Sequence, residues 1–297
     1  MKQQHAGSLL AAASAAGFAT LAIFIKFAYE AGANLITILS FRFLLAGIFL
    51  YGVLKLRGIS LQVTRPMALS LFLMGALGYG SMSVLFGAAL QYLPASLTAL
   101  LLYTYPALVT LLSFAVGDET CSWQKGLSLT GCFCGLFLVL GVSVAGINGI
   151  GVALSLGAAV IYSVYIVISN RLLKDVNSMV VTTYVCLSAA LVFWTAGLST
   201  NSLTLVLSPL GWLSILGTAI FATLIGVLFF FAGVSRIGAT NASIISTLEP
   251  VITVILSVVL LGDSITPAQA GGGLLILVSI LLLQLWANNS RTGLSRR

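Results

Sequence analysis

The sequence predicts an all-α integral membrane protein, with ten transmembrane helices arranged as two inverted five-helix repeats. Three observations carry this reading. Only 6% of the 297 residues are charged while 60% are hydrophobic, whereas a soluble domain needs roughly 25% charged residues to face water. Ten apolar runs follow one another along the chain. The chain also resembles itself when it is shifted by 144 residues.

A helix needs about 20 apolar residues to cross the hydrocarbon core. The runs fall at about 8–25, 36–54, 67–90, 93–116, 127–147, 149–169, 179–198, 210–234, 237–261 and 268–287. Interruptions by Gly, Ser and Thr suit packing contacts between membrane helices. A membrane barrel would show short alternating segments, and these runs are continuous. Lys2 followed by the small residues Ala11 to Ala16 has the look of a signal peptide. The repeat requires that run as a permanent helix.

Orientation follows from the basic residues. Threading ten spans gathers eleven of the thirteen Lys and Arg on one side, with both termini; Lys26 and Arg42 are the two others. Both termini are therefore expected to be cytoplasmic, in the inner membrane of a bacterial or archaeal cell. The net charge of +7 then reflects topology and anionic lipid, and no nucleic-acid partner is expected. Cys121, Cys132, Cys134 and Cys186 form no disulfide framework, and His5 is the only histidine, so neither a metal nor a cofactor is expected.

The 144-residue shift lays spans 1–5 over spans 6–10 without a gap. Identities include Gly7/Gly151, Phe49/Phe193, Ser70/Ser214, Phe86/Phe230, Pro106/Pro250 and Ser113/Ser257, and Glu119 falls on Asp263. Five is odd, so the second copy must cross the membrane upside down. The expected units are residues 1–147 and 148–297, the latter with a short basic tail. Inverted repeats supply two related conformations, each open to one face, around a midplane site.

Pro106 and Pro250 lie about 20 Å into the fourth and ninth spans. A proline removes the bond to the carbonyl four residues back, leaving Leu102 and Ser246 to find another partner. A kink or hinge bordering a polar cavity is expected at both. On the ninth span Ser243, Ser246, Thr247 and Pro250 share a face, and on the fourth Tyr103, Pro106, Thr110 and Ser113 do. Tyr162 and Tyr165 lie three apart on the sixth span, and Gly75, Tyr79 and Met82 together on the third. Converging, these helices would line a cavity suited to a zwitterion or an aromatic metabolite. Ordinary helix packing accounts equally well for any single Tyr or Ser among them.

Two intramembrane charges are the strongest candidates, because an ionised group there is costly and usually faces a partner or water. Glu249 sits near the midplane of the ninth span; it could hold a substrate amine or a proton, or serve as a structural acceptor beside the kink. Arg42 could bind a substrate carboxylate, pair with a carboxylate, or snorkel outward, and snorkelling is the first reading. Lys26, at the end of the first span, reads as an interface anchor.

Leu102-Tyr103-Thr104-Tyr105-Pro106-Ala107-Leu108-Val109 through Gly117-Asp118-Glu119, and Thr247-Leu248-Glu249-Pro250-Val251 through Leu261-Gly262-Asp263, resemble the paired signatures of EamA-type repeats. The chain resembles the ten-helix EamA branch of the drug/metabolite transporter superfamily over essentially its whole length. That resemblance implies a cavity lined mainly by spans 1, 3, 4, 6, 8 and 9, and export or exchange of amino acids or other small metabolites. Asp263 stands where the family usually has Glu.

The function expected is secondary transport of a small organic metabolite, an amino acid or related compound, with lipid around it and a proton as a candidate coupling ion. A transporter of another class, for a nucleotide-sugar, drug or other cation, stays open. So does a non-transporting membrane protein. An intramembrane enzyme would need a catalytic cluster, which the scattered acidic residues do not offer, and an assembly factor would not require a matched repeat. No nucleotide-binding loop is present for an ATP-driven pump. Charge rings or a carbonyl filter, the marks of a channel, are missing as well.

Overall fold

The computed structural model describes residues 2–117, 123–141, 148–172 and 176–294, and every regular element among them is helical. The first half contains α1 (Lys2–Glu30), α2 (Leu35–Leu56) and α3 (Arg65–Leu73), which runs through a π-helical stretch (Met74–Tyr79) into α4 (Gly80–Ala89). It continues with α5 (Ala95–Leu102), α6 (Tyr105–Ala115) and α7 (Trp123–Gly141). The second half has α8 (Gly149–Leu172), α9 (Ser178–Ser199) and α10 (Pro209–Ala219), then a second π stretch (Ile220–Ile225) leading into α11 (Gly226–Ser246). It ends with α12 (Leu248–Leu261) and α13 (Pro267–Leu294). Asp118, Glu119, Cys121, Lys174, Arg296 and Arg297, and the side chains of Lys2, Arg171, Ser243 and Arg291, lie outside the described residues.

Among the described residues seven helical stretches are long and apolar enough to cross a membrane: 3–30, 35–56, 65–89, 95–115, 149–169, 178–199 and 209–237. Leu248–Leu261 and Pro267–Leu282 are apolar but shorter. Large apolar side chains point outward, with Val259 at 72% and Phe137 at 75% exposure. Such a surface fits hydrocarbon as solvent, since contiguous apolar patches are avoided in water. The chain is a multi-pass membrane protein.

Local sequence sets where helices begin. Asn34 accepts from the Thr37 amide at 2.8 Å and Asn177 from the Met179 amide at 2.9 Å, meeting donors that α2 and α9 cannot satisfy internally. Thr266 and Gln269 form a reciprocal cap on α13, each side chain accepting from the other's amide at 3.2 and 3.1 Å. Asp263 caps a distant helix: its Oδ2 accepts from the Ser96 amide at 3.2 Å and the Ser96 hydroxyl at 3.0 Å, in the first turn of α5. Gly262 ends α12 at φ +68°, a left-handed geometry that glycine adopts without strain.

One boundary differs from expectation. The sequence places Arg236 in a loop between the eighth and ninth spans, yet α11 runs through it to Ser246, and the Arg236 guanidinium donates to the Ala232 carbonyl within the helix. Nothing in residues 226–246 is a proline, whereas Pro94 fixes the start of α5 at the corresponding point of the first half.

The packing is reciprocal between the halves. α1 lies against α10, α11 and α12, while α8 lies against α4, α5 and α6; α2 pairs with α9 and α7 with α13. The α7–α13 seam is close enough that a Cβ on Gly135 would sit 2.7 Å from the Gly272 carbonyl oxygen, and one on Gly272 would sit 2.7 Å from that of Gly135. Only glycine permits such approach.

Candidate functional site

Two helix breaks, one in each half, meet across a hydrogen bond. α5 stops at Leu102 and α6 starts at Tyr105; α11 stops at Ser246 and α12 starts at Leu248. Pro106 and Pro250 each fall in the first turn of the new segment, where a missing N–H removes no helical bond. The Tyr103 hydroxyl donates to the Ser246 carbonyl at 2.7 Å, so the acceptor four residues before Pro250 is met by a side chain from the opposite half.

A cavity of about 310 Å³ opens beside these breaks. One wall is a run of aromatic rings. Tyr103 meets Tyr105 edge-on at 5.6 Å between centroids, Tyr105 meets Tyr162 at 4.7 Å, Tyr162 stacks on Tyr165 at 6.0 Å, and Tyr165 tilts against Tyr79 at 5.7 Å. Tyr79 in turn meets Phe43 at 5.8 Å. Offset and edge-to-face contacts of this kind fix ring positions as well as burying area. The wall is therefore stiff, apolar in body and edged with hydroxyls.

Arg42 and Glu249 border the same cavity. Arg42 is 2% exposed. Its Nε donates to Thr223 Oγ1 at 3.2 Å, and its guanidinium carbon lies 4.9 Å from the centre of the Phe43 ring. Among the described residues neither Arg42 nor Glu249 forms an ion pair or bonds to the other. An arginine and a glutamic acid side chain thus front one space without bonding to each other. Among the described residues no three His, Cys, Asp or Glu side chains come together as a metal-ligand set.

The seven candidates Tyr79, Tyr103, Tyr162, Tyr165, Ser246, Glu249 and Arg42 all lie on this cavity. The snorkelling reading of Arg42 does not match its placement: the side chain turns inward because Thr223 offers an acceptor and Phe43 a ring face. Lys26 is half-buried, within electrostatic reach of Asp263 and Glu30. Spans 2 and 7 join the lining as well, α2 through Arg42 and α9 through Thr182, Val185 and Cys186. Tyr105 and Thr223 escaped sequence reading. Tyr105 stood in the quoted motif beside Pro106, and its aromatic ring was the available signal; Thr223 carries no signal of its own.

A helical, multi-pass protein with a largely apolar cavity, edged by a few polar side chains, among broken helices has the build of a membrane transporter. The EamA-like transporter family matches the chain twice, over residues 5–141 and 149–285, and the chain belongs to that family. It is accordingly a membrane transporter of small molecules rather than an enzyme. The uncharacterized transporter YyaM of Bacillus subtilis is 27% identical over 246 residues, spanning 80% of each chain. The uncharacterized transporter YcbK of the same organism is 25% identical over 298 residues, spanning 92% of this chain and 90% of that one. A solved crystal structure at 22% identity superposes with a TM-score of 0.67, over 95% of this chain and 98% of the other, which is a likeness of fold.

Proposed function

We propose that the protein is a secondary transporter moving a small zwitterionic metabolite, an amino acid or a close relative, in export or exchange by alternating access. The observation that carries this reading is the placement of Arg42 and Glu249 on one tyrosine-walled cavity without an ion pair between them. A substrate bearing both a carboxylate and an ammonium offers each buried charge an opposite partner, which offsets their desolvation. The volume suits a small metabolite.

The architecture we propose is ten spans in two inverted repeats, residues 1–147 and 148–297, with both termini cytoplasmic. Several features support it. The two family matches begin 144 residues apart, at 5 and 149. The π stretch at Met74–Tyr79 is carried by that shift onto residues 218–223, overlapping the second stretch at Ile220–Ile225. The packing partners of α1 and α8 exchange roles between the halves. Reporter fusions near Leu61 and Asn177 should read cytoplasmic, and those near Asn34, Asn148 and Ser202 external.

The experiment that tests the function is uptake of labelled amino acids into proteoliposomes containing the purified protein, with counterflow against an internal amino acid. Saturable, exchangeable uptake of at least one amino acid is expected. Movement of organic cations or sugar nucleotides with no amino-acid flux would overturn the substrate class. Glu249 is the candidate proton carrier, being the carboxylate on the cavity lining.

A further inference from the structure

Arg42 is more rigidly built into its site than a buried cation requires. Its Nε is held by Thr223 Oγ1 at 3.2 Å, while the Thr223 hydroxyl proton is committed to the Thr218 carbonyl at 3.0 Å. That carbonyl lies five residues back, within reach because Thr223 sits in the π-helical stretch Ile220–Ile225. The lone pair left on Thr223 is thus aimed at Arg42. The Phe43 ring backs the guanidinium at 4.9 Å. With Nε held by Thr223, the Phe43 ring beside it and the Tyr79 hydroxyl within hydrogen-bonding reach, the guanidinium keeps a fixed position, and its terminal amino groups form a planar fork. The side chain is buried at 2% exposure and borders the cavity, and among the described residues no carboxylate pairs with it.

We infer that Thr223 is a positioning residue, which holds Arg42 so that its fork receives the substrate carboxylate and makes the transporter select for that group. The inference rests on the amino-acid reading given above and assigns the end of the substrate that is read most strictly. An arginine fork matches the two oxygens of a carboxylate with parallel bonds, and that match is lost when the plane is free to swing. With Glu249 on the same cavity, a substrate bearing a carboxylate and an ammonium offers a partner to both side chains, whereas a dianion such as a phosphate ester offers one to Arg42 alone.

The test uses the purified full-length protein in nanodiscs, with dissociation constants measured for two matched pairs of probes. These are L-leucine with isopentylamine, and L-phenylalanine with phenethylamine, each amine being the amino acid without its carboxylate. The wild type should bind at least one amino acid about tenfold or more tighter than its amine, the scale of a hydrogen bond to a charged group. Thr223→Val, which keeps the shape and removes the hydroxyl, should bring the pair to near parity by weakening the amino acid while leaving the amine within about twofold, on the same scale. Thr223→Ser should restore the preference. Arg42→Lys, which keeps the charge without the fork, should also lose it and serves if Thr223→Val fails to fold. A preference retained in the folded variants, an equal loss for amine and amino acid, or a wild type that binds amines as tightly as amino acids would overturn this inference and leave transport standing. Binding of neither amino acid by the wild type would overturn the amino-acid reading itself, and this inference with it.

Discussion

The Tyr103 hydroxyl bonds to the Ser246 carbonyl across 2.7 Å, joining the break between α5 and α6 to the break between α11 and α12. Each residue lies at the last turn before its half's proline segment, so one bond spans the two places where helical bonding is interrupted. The bond adds to the packing of α5 against α12, which already brings the two breaks together. Tyr103→Phe removes that donor and leaves a buried acceptor unmet, at a cost of about 1–3 kcal/mol. The melting temperature in detergent should fall, and uptake should change in rate; an unaltered melting curve would show that the bond contributes nothing.

Pro106→Ala and Pro250→Ala should leave the protein folded and slow its transport. Each substitution restores an amide that favours fusing the two segments into one continuous helix, which biases the protein toward one conformation. Initial rates in proteoliposomes measure this. Wild-type rates in both variants would make the breaks incidental to movement.

Glu249→Gln keeps the size and hydrogen-bonding capacity of the side chain but removes its charge and its ability to exchange a proton. If the carboxylate holds the substrate ammonium or a coupling proton, concentrative uptake, or its dependence on pH, should disappear while expression and folding persist. The check is uptake from mildly acidic to mildly alkaline pH for both proteins. A variant with wild-type rate and pH response would remove Glu249 from the mechanism.

The α7–α13 seam should respond differently. Gly135→Ala or Gly272→Ala forces a methyl group to within 2.7 Å of a backbone oxygen on the facing helix. Overpacking of this kind costs about 1–3 kcal/mol. Among the described residues neither helix contributes to the cavity lining. Thermal stability should therefore drop while transport per folded molecule is maintained, and the pair of measurements separates the two effects.

The helical, membrane-spanning character was readable because hydropathy is a property of composition alone: among the described residues the apolar runs lie mainly on helix, and seven stretches are long and apolar enough to span. Pro106 and Pro250 marked the breaks to within a few residues for the same reason, since proline acts on its own backbone. The fate of Arg42 was not readable. Its direction depends on Thr223, 181 residues away in sequence, and no local pattern announces that meeting. The π stretches were hidden too: Met74–Tyr79 and Ile220–Ile225 read as ordinary apolar helix. The tyrosine wall was half visible. Spacing put Tyr162 beside Tyr165, but only tertiary packing brings Tyr105 between Tyr103 and Tyr162.

The opposite signs of Arg42 and Glu249 have an electrical meaning. With both side chains ionised, the cavity's own charges sum to zero, and a zwitterion adds nothing to that sum. Carrying it across the membrane would then displace no net charge, and the membrane voltage could neither drive nor oppose the step. Protonation of Glu249 on the loaded carrier would add one positive charge to the moving cavity, subject to as much as about 2.3 kcal/mol per 100 mV if it crosses the whole field. One proton on one carboxylate would thus separate a transporter that follows only the substrate gradient from one that is pulled by the cell's potential.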